Sequence, residues 1–287
     1  MPAGDDDGSS SGSALRPAAV PAAAPTTMEE LEELGRVRLS KNFFMRDMLY
    51  SELASFHEVR NIPDDPPLAV AAGRRLCEEL LEPLHEAFGG VVVRSAFRSC
   101  TVNELGTGDP PNNHGCGETE WNHGRHIWDR RDADGNMGAT VCVVLPWFLD
   151  RQATAEANGE PPPRWEALAW WIHDQLPYSD LTFMPRLGCF NIRWCEKPAK
   201  VIESWKINNR DGSFFLASPG KETPPWCEAA AAFDSSLDED HSGEYEGFPR
   251  SSGRMRPTSG SVSNSVMSLR SHARAERLPL PCLFLRW

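Results

Sequence analysis

A chain of 287 residues is long enough to bury a substantial core, as one large domain or two small ones, and its 40% hydrophobic and 24% charged content is that of a globular protein. A formal charge of −12 works against nucleic-acid binding, which needs a field of clustered Lys and Arg to release counterions, so no nucleic-acid partner is expected. Apolar residues thin out beyond Trp205, so the folded part is expected to be shorter than the chain.

Residues 1–39 read as a disordered Ala/Pro/Asp-rich tail. Asp5, Asp6 and Asp7 precede an Ala/Pro run that has neither a basic start nor an apolar stretch, so no secretory signal peptide is expected. No segment approaches the roughly 20 apolar residues of a membrane span. The chain is therefore expected to involve no membrane and to stay cytoplasmic as synthesised, unless a phage or lysis route releases it. Eight cysteines are spread along the sequence without a CxxC pair, which speaks against a disulfide framework and for reduced, small, partly buried side chains.

The acidic run Met28–Glu33 can begin a short helix. Ser40 is a suitable N-cap for a helix over Asn42–His57, with Phe44 and Met48 at helical spacing. Asp64-Asp65-Pro66-Pro67 breaks the chain and starts a second helix, Leu68–Phe88, whose Ala72, Leu76, Leu80, Leu84 and Phe88 make a wide apolar stripe. Gly89-Gly90 ends it, and Val91–Val93 has the β-branched composition of a short buried strand. A helical turn over Thr101–Leu105 leads into a long Gly/Pro/Asn loop, then a tight turn at Asp132–Asn136 and a buried strand at Ala139–Leu145. Pro146–Pro163 reads as a crossing and linker, and Trp165–Leu176 as an amphipathic helix. Strands at Leu181–Met184 and Cys189–Cys195 close the pattern as a hairpin. No further core is expected beyond Trp205. The predicted organisation is an α+β domain over 40–205, a small mainly antiparallel sheet packed on helices, followed by a mostly irregular Ser/Arg-rich tail over 206–287. From Arg250 to Trp287 that tail carries seven arginines against the single Glu276, a solvated segment or an anion-binding arm.

Candidate chemistry gathers in two places. Arg98 follows the valine strand in Arg94-Ser95-Ala96-Phe97-Arg98-Ser99, where a guanidinium at a strand end can clamp a carboxylate or carbonyl or brace the loop beneath it. The stretch Asn113–Cys142 holds His114, Cys116, His123, His126 and Asp129, ligand types that zinc takes, though at spacings that fit no closed structural zinc pattern. Asp132-x-Asp134-Gly135 resembles the start of a calcium loop but lacks the distal Glu, so it reads as a turn. Cys142 sits in an apolar strand that returns from the His-rich loop. Asn191, Arg193 and Cys195 alternate on one strand face, opposite Ile192 and Trp194, and offer a polar face to the same cleft. Phosphate loops, GxSxG elbows and HExxH motifs do not occur.

Over roughly Ser40–Trp205 the order of features resembles the zinc D,D-carboxypeptidases and phage endolysins that cut peptidoglycan peptides, whose fold is shared with the hedgehog signalling domain. The resemblance is carried by Ser40-Lys41-Asn42-Phe43-Phe44, Leu81-Glu82-Pro83-Leu84, Val93–Ser99 with Asn103, the His-bearing loop, the Trp-rich helix ending in Leu176-Pro177, and the hairpin. It implies a zinc-dependent hydrolase acting on a peptide or cell-wall muropeptide. Arg98 would bind the substrate carbonyl, and Asn191 and Arg193 would line the substrate cleft. His126 stands for the first metal ligand. About ten residues are inserted before Gly138-Ala139, Cys142 falls where the family has Asp, Asn191 where it has its second His, and Met184 near its general-base Glu. Two readings follow: a metallopeptidase with a rebuilt site, in which His126, Cys142 and either Asp129 or Cys195 hold zinc, or a non-catalytic binding or regulatory protein on the same fold.

Overall fold

The computed structural model describes residues 18–107, 116–205, 213–217, 237 and 239–250. Eight α-helices and six strands are named in chain order: α1 (Met28–Gly35), α2 (Met45–Leu49), α3 (Glu52–Phe56), α4 (Pro66–Leu76), α5 (Glu82–Phe88), β1 (Val92–Ser95), α6 (Cys100–Gly106), β2 (Gly138–Val144), α7 (Pro146–Asn158), α8 (Trp165–Gln175), β3 (Asp180–Met184), β4 (Cys189–Cys195), β5 (Val201–Trp205) and β6 (Ser213–Ala217). The protein is α+β. Its strands form one sheet in the order β1-β2-β4-β3-β5-β6, antiparallel throughout except for the parallel β3/β5 pair.

The alternation along each strand decides where the core lies. Ala139, Val141 and Val143 of β2, Phe190, Ile192 and Trp194 of β4, and Leu181 and Phe183 of β3 point to one face, where they pack with Leu76, Leu80, Leu84 and Phe88 and with Leu168, Ala169 and Ile172. Trp128 is fully buried and donates its indole N–H to Thr140 O at 3.1 Å, anchoring the long loop to β2.

Several expected elements differ in detail. The helix predicted over Asn42–His57 is split into α2 and α3. Phe97 N–H donates to Met48 O and Asn61 Nδ2 to Leu49 O, so the carbonyls at the end of α2 serve the exit from β1, and Ser51 caps a new helix. Ser40 is not the N-cap. Its hydroxyl donates to Glu82 Oε1, while Asp47 accepts from Phe44 N–H to open α2. The long helix starts at Pro66 under an Asp65 cap and contains a π-helical turn at Cys77–Leu81, in which Glu82 N–H reaches back to Cys77 O. Pro83 immediately follows, and the wider turn accommodates a residue that cannot donate. Val92 is 52% exposed, so β1 is an edge strand rather than a buried one.

The expected linker Pro146–Pro163 contains α7, started by Pro146 and stopped by Gly159 at φ +70. The fold also exceeds 40–205 on both sides. Leu34, Val37 and Leu39 are buried before it, and after it β6 extends the sheet while Leu237, Tyr245 and Phe248 pack on the core. The remaining tail expectations, including the basic segment 251–287, lie outside the described residues.

Candidate functional site

The face of the sheet opposite the core is polar. Register places Ser95, Cys142, Asn191, Thr182 and Glu203 in one row across β1, β2, β4, β3 and β5, each the cross-strand partner of the next. Thr182 Oγ1 donates to Glu203 Oε1 at 2.8 Å at one end. Next to this row lie Thr140, Arg193 and Asp180, and beyond them Gly138 and Cys195.

The loop before β2 folds onto this face. Thr140 N–H donates to Arg125 O at 2.8 Å, and Arg125 reaches Asp180 Oδ1 at 3.3 Å while stacking over the exposed ring of Trp121. His126 is thereby carried to the end of β1. Its Nδ1 lies 2.9 Å from Ala96 O, and since a carbonyl only accepts, Nδ1 carries the proton and Nε2 the lone pair. Burial first, and the charges of Arg98 and Arg125 with it, push the imidazole well below its usual range, so it is neutral. Arg98 N–H donates in turn to His126 O at 2.8 Å. The Arg98 guanidinium donates through Nη1 to Asn103 Oδ1 at 3.1 Å and to Cys116 Sγ at 3.0 Å. Asn103 is itself fully buried and donates to Gly117 O and Thr119 Oγ1, so Arg98 is held beyond the end of β1 by a braced side chain.

Of the sequence-predicted residues, Arg98, His126, Cys142 and Asn191 are brought to one region, linked through Ala96, Ser95 and the β2/β4 pairing. The others are not. Arg193 is 5% exposed, and its donors go to Gly124 O, Asp180 Oδ2, Asp132 Oδ2 and Cys195 Sγ; it clamps the loop to the sheet. Asp129 accepts from Asp64 N–H at 2.7 Å and pairs with Arg130, tying the loop to the start of α4; burial raises its carboxyl pKa against those donors. Cys195 pairs with Gly138, four residues along β2 from Cys142. At about 3.3 Å per residue that is roughly 13 Å. Two thiolates sharing one zinc lie within about 4.6 Å of each other.

The donor set His126, Cys142, Asp129 and Cys195 thus does not assemble around one zinc ion. Among the described residues no group of three or more His, Cys, Asp or Glu is placed to hold a metal. His114 lies outside them. Cys142 is engaged elsewhere: it packs against Met184 and Cys189, and Arg94 Nη1 lies 3.9 Å from its sulfur. The neighbouring Cys189 and burial push the Cys142 thiol well above its usual range, while Cys142 and Arg94 lower Cys189.

Sequence reasoning missed Arg94, Thr182, Cys189 and Glu203. The period of two in Asp180, Thr182 and Met184 places them on the polar face by the rule that places Asn191; Glu203 needed the unpredicted β5. No family model, curated protein or solved structure matches the chain.

Proposed function

We propose that the chain is a divergent member of the hedgehog/D,D-peptidase fold that binds a peptidoglycan-type peptide along its polar sheet face without hydrolysing it. The observation that carries this reading is the Cα pairing of Cys142 with Asn191. The resemblance puts a carboxylate and an imidazole at these positions. Here a protonated thiol and a neutral amide face each other, neither of them a competent zinc ligand as it stands, and Met184 near the base position moves no proton.

The same row suits recognition. From Ser95 to Glu203 it crosses four strand spacings, roughly 19 Å, enough for five or six residues of extended peptide. Arg98 at one end can take a carboxylate or carbonyl, Asn191 both donates and accepts, and Glu203 at the far end suits an amine. A zwitterionic stem peptide meets complementary charge at both ends.

Calorimetry of the full chain with purified muropeptides, paired with chromatography of the products, tests this. Expected are binding, no release of D-alanine with or without added zinc, and at least tenfold weaker binding for Arg98→Ala. D-alanine release that a chelator abolishes would establish the metallopeptidase instead, and absence of binding would discard the peptide ligand.

A further inference from the structure

Sharing Cys142 with the peptide row, β2, β3 and the β3–β4 hairpin gather three sulfur side chains into a small buried cluster apart from the main core: Cys142, Met184 and Cys189, flanked by Val144 and Leu187. All three residues are at most 4% exposed. Met184 and Cys189 are direct cross-strand partners and share a face. Cys142 pairs with Asn191, two residues from Cys189, so the two cysteines are diagonal neighbours on that face, and both are free thiols. Arg94 Nη1 lies 3.9 Å from Cys142 Sγ, and the same guanidinium lowers the Cys189 thiol.

Diagonal neighbours across an antiparallel pair have Cα atoms about 7–8 Å apart, beyond the span of an unstrained disulfide. Their side chains nevertheless pack together with Met184 in one buried cluster, which brings three sulfur side chains to one place. Two thiolates and a thioether in a dry pocket are soft donors, which prefer a monovalent thiophilic cation to zinc or a hard divalent ion. Charge supports the same valence. Two thiolates with one monovalent cation leave a single negative charge, which the half-buried Arg94 guanidinium neutralises, whereas a divalent ion would leave that guanidinium without a partner in the site.

We propose that Cys142, Cys189 and Met184 form a three-sulfur site for a monovalent thiophilic cation of the Cu(I) class, with Arg94 as its charge partner. Binding replaces the S–H bonds of both thiols with metal–sulfur bonds and releases their protons to solvent; the cation's oxidation state does not change. The site does not depend on the peptide-binding reading, because it is assayed without peptide.

The full-length reduced protein is titrated anaerobically with Cu(I) against a chromogenic Cu(I) chelator, with X-ray absorption of the loaded protein. One equivalent withdrawn from the chelator, in all-sulfur coordination, is expected. Cys142→Ser/Cys189→Ser should lose that equivalent, Met184→Leu should weaken it about tenfold, and Cys100→Ser/Cys116→Ser should keep it. Should the double cysteine variant fail to fold, alkylation of the wild type reads the site directly, with copper shielding Cys142 and Cys189 together. The proposal is overturned if no copper is withdrawn, if the double variant retains the equivalent, if copper fails to shield these two cysteines, or if mild oxidation joins them in a disulfide while the copper titration stays blank.

Discussion

Arg193 and Asp180 stand opposite each other on β4 and β3, Nη1 to Oδ2 at 3.0 Å, with the arginine side chain 6% and the aspartate 15% exposed. Burial alone would raise the Asp180 pKa, but Arg125, Arg193 and the Ser179 hydroxyl outweigh it and hold the carboxyl below its usual 3.8. A carboxylate depressed in the folded state contributes stability that is complete above the unfolded value and is lost as pH falls through the folded one. Asp180→Asn should therefore remove stability at pH 7, by about 3 kcal/mol since Arg193 keeps Asp132 as a partner, and progressively less as pH falls below 3.8. Denaturant melts of both proteins across that range check it; a loss independent of pH would deny the ion pair this role.

A second pH dependence arises from two histidines. Burial is the first cause that lowers both His126 and His173 from the usual 6.5. His173 Nε2 donates to Leu237 O and its Nδ1 accepts from Tyr178 O–H, a network that the neutral tautomer satisfies. The unfolded chain binds protons at these sites before the folded one does, so stability should decline as pH falls below 6.5. His126→Gln should flatten that decline, and NMR titration of the imidazole signals should find both rings neutral at pH 6.5. Ordinary titration of His126 would count against its burial.

Two glycines are required by close approach. A Cβ on Gly138 would lie 2.2 Å from Gly124 O, and one on Gly106 would lie 2.2 Å from Cys116 Sγ, the atom that Arg98 donates to. Gly138→Ala collides with backbone and should cost about 1–3 kcal/mol in a chemical melt. Gly106→Ala meets a side chain that can turn away, so it should cost less stability but release Arg98, seen as weaker muropeptide binding at nearly unchanged Tm. Equal effects of the two on stability and binding would dissolve this distinction.

How much of this was legible in the sequence depended on how local each signal was. The stripe of Leu76, Leu80 and Leu84, the Asp132–Asn136 turn and the β3–β4 hairpin are local patterns, and they formed where expected. Ser40 failed as a cap because a better use for its hydroxyl, Glu82, lies 42 residues away. Arg193 and Asn191 share a strand face and look equivalent in sequence. Only the loop that folds over Arg193 separates them, burying one in ion pairs and leaving the other half-exposed. The separation of Cys142 from Cys195 likewise follows from register, and that of Asp129 from its bond to Asp64 N–H, neither of which the residue types encoded.

The segment 239–250 was expected to lie outside any core, yet it forms a strap over α8. His241 stacks on Trp170 with ring centroids 3.7 Å apart and lies 3.2 Å from Asp174 Oδ1, and Tyr245 O–H donates to Asp174 Oδ2 at 2.8 Å. Trp171 Nε1 donates to Pro249 O at 2.7 Å, and Phe248 enters the aromatic group of Phe88, Trp147 and Phe148. Such contacts hold one face of α8 and one end of α7, whose Leu168, Ile172 and Phe148 belong to the same core as the sheet. A fragment covering only 40–205 should thus melt well below the full chain, losing both the strap and β6. Phe248→Ala should cost about 2–3 kcal/mol, less than a fully buried Phe because Phe248 is half-exposed. Calorimetric scans of the fragment, the variant and the full chain decide it: a fragment as stable as the whole would return the folded boundary to Trp205 and reduce the strap to a surface ornament.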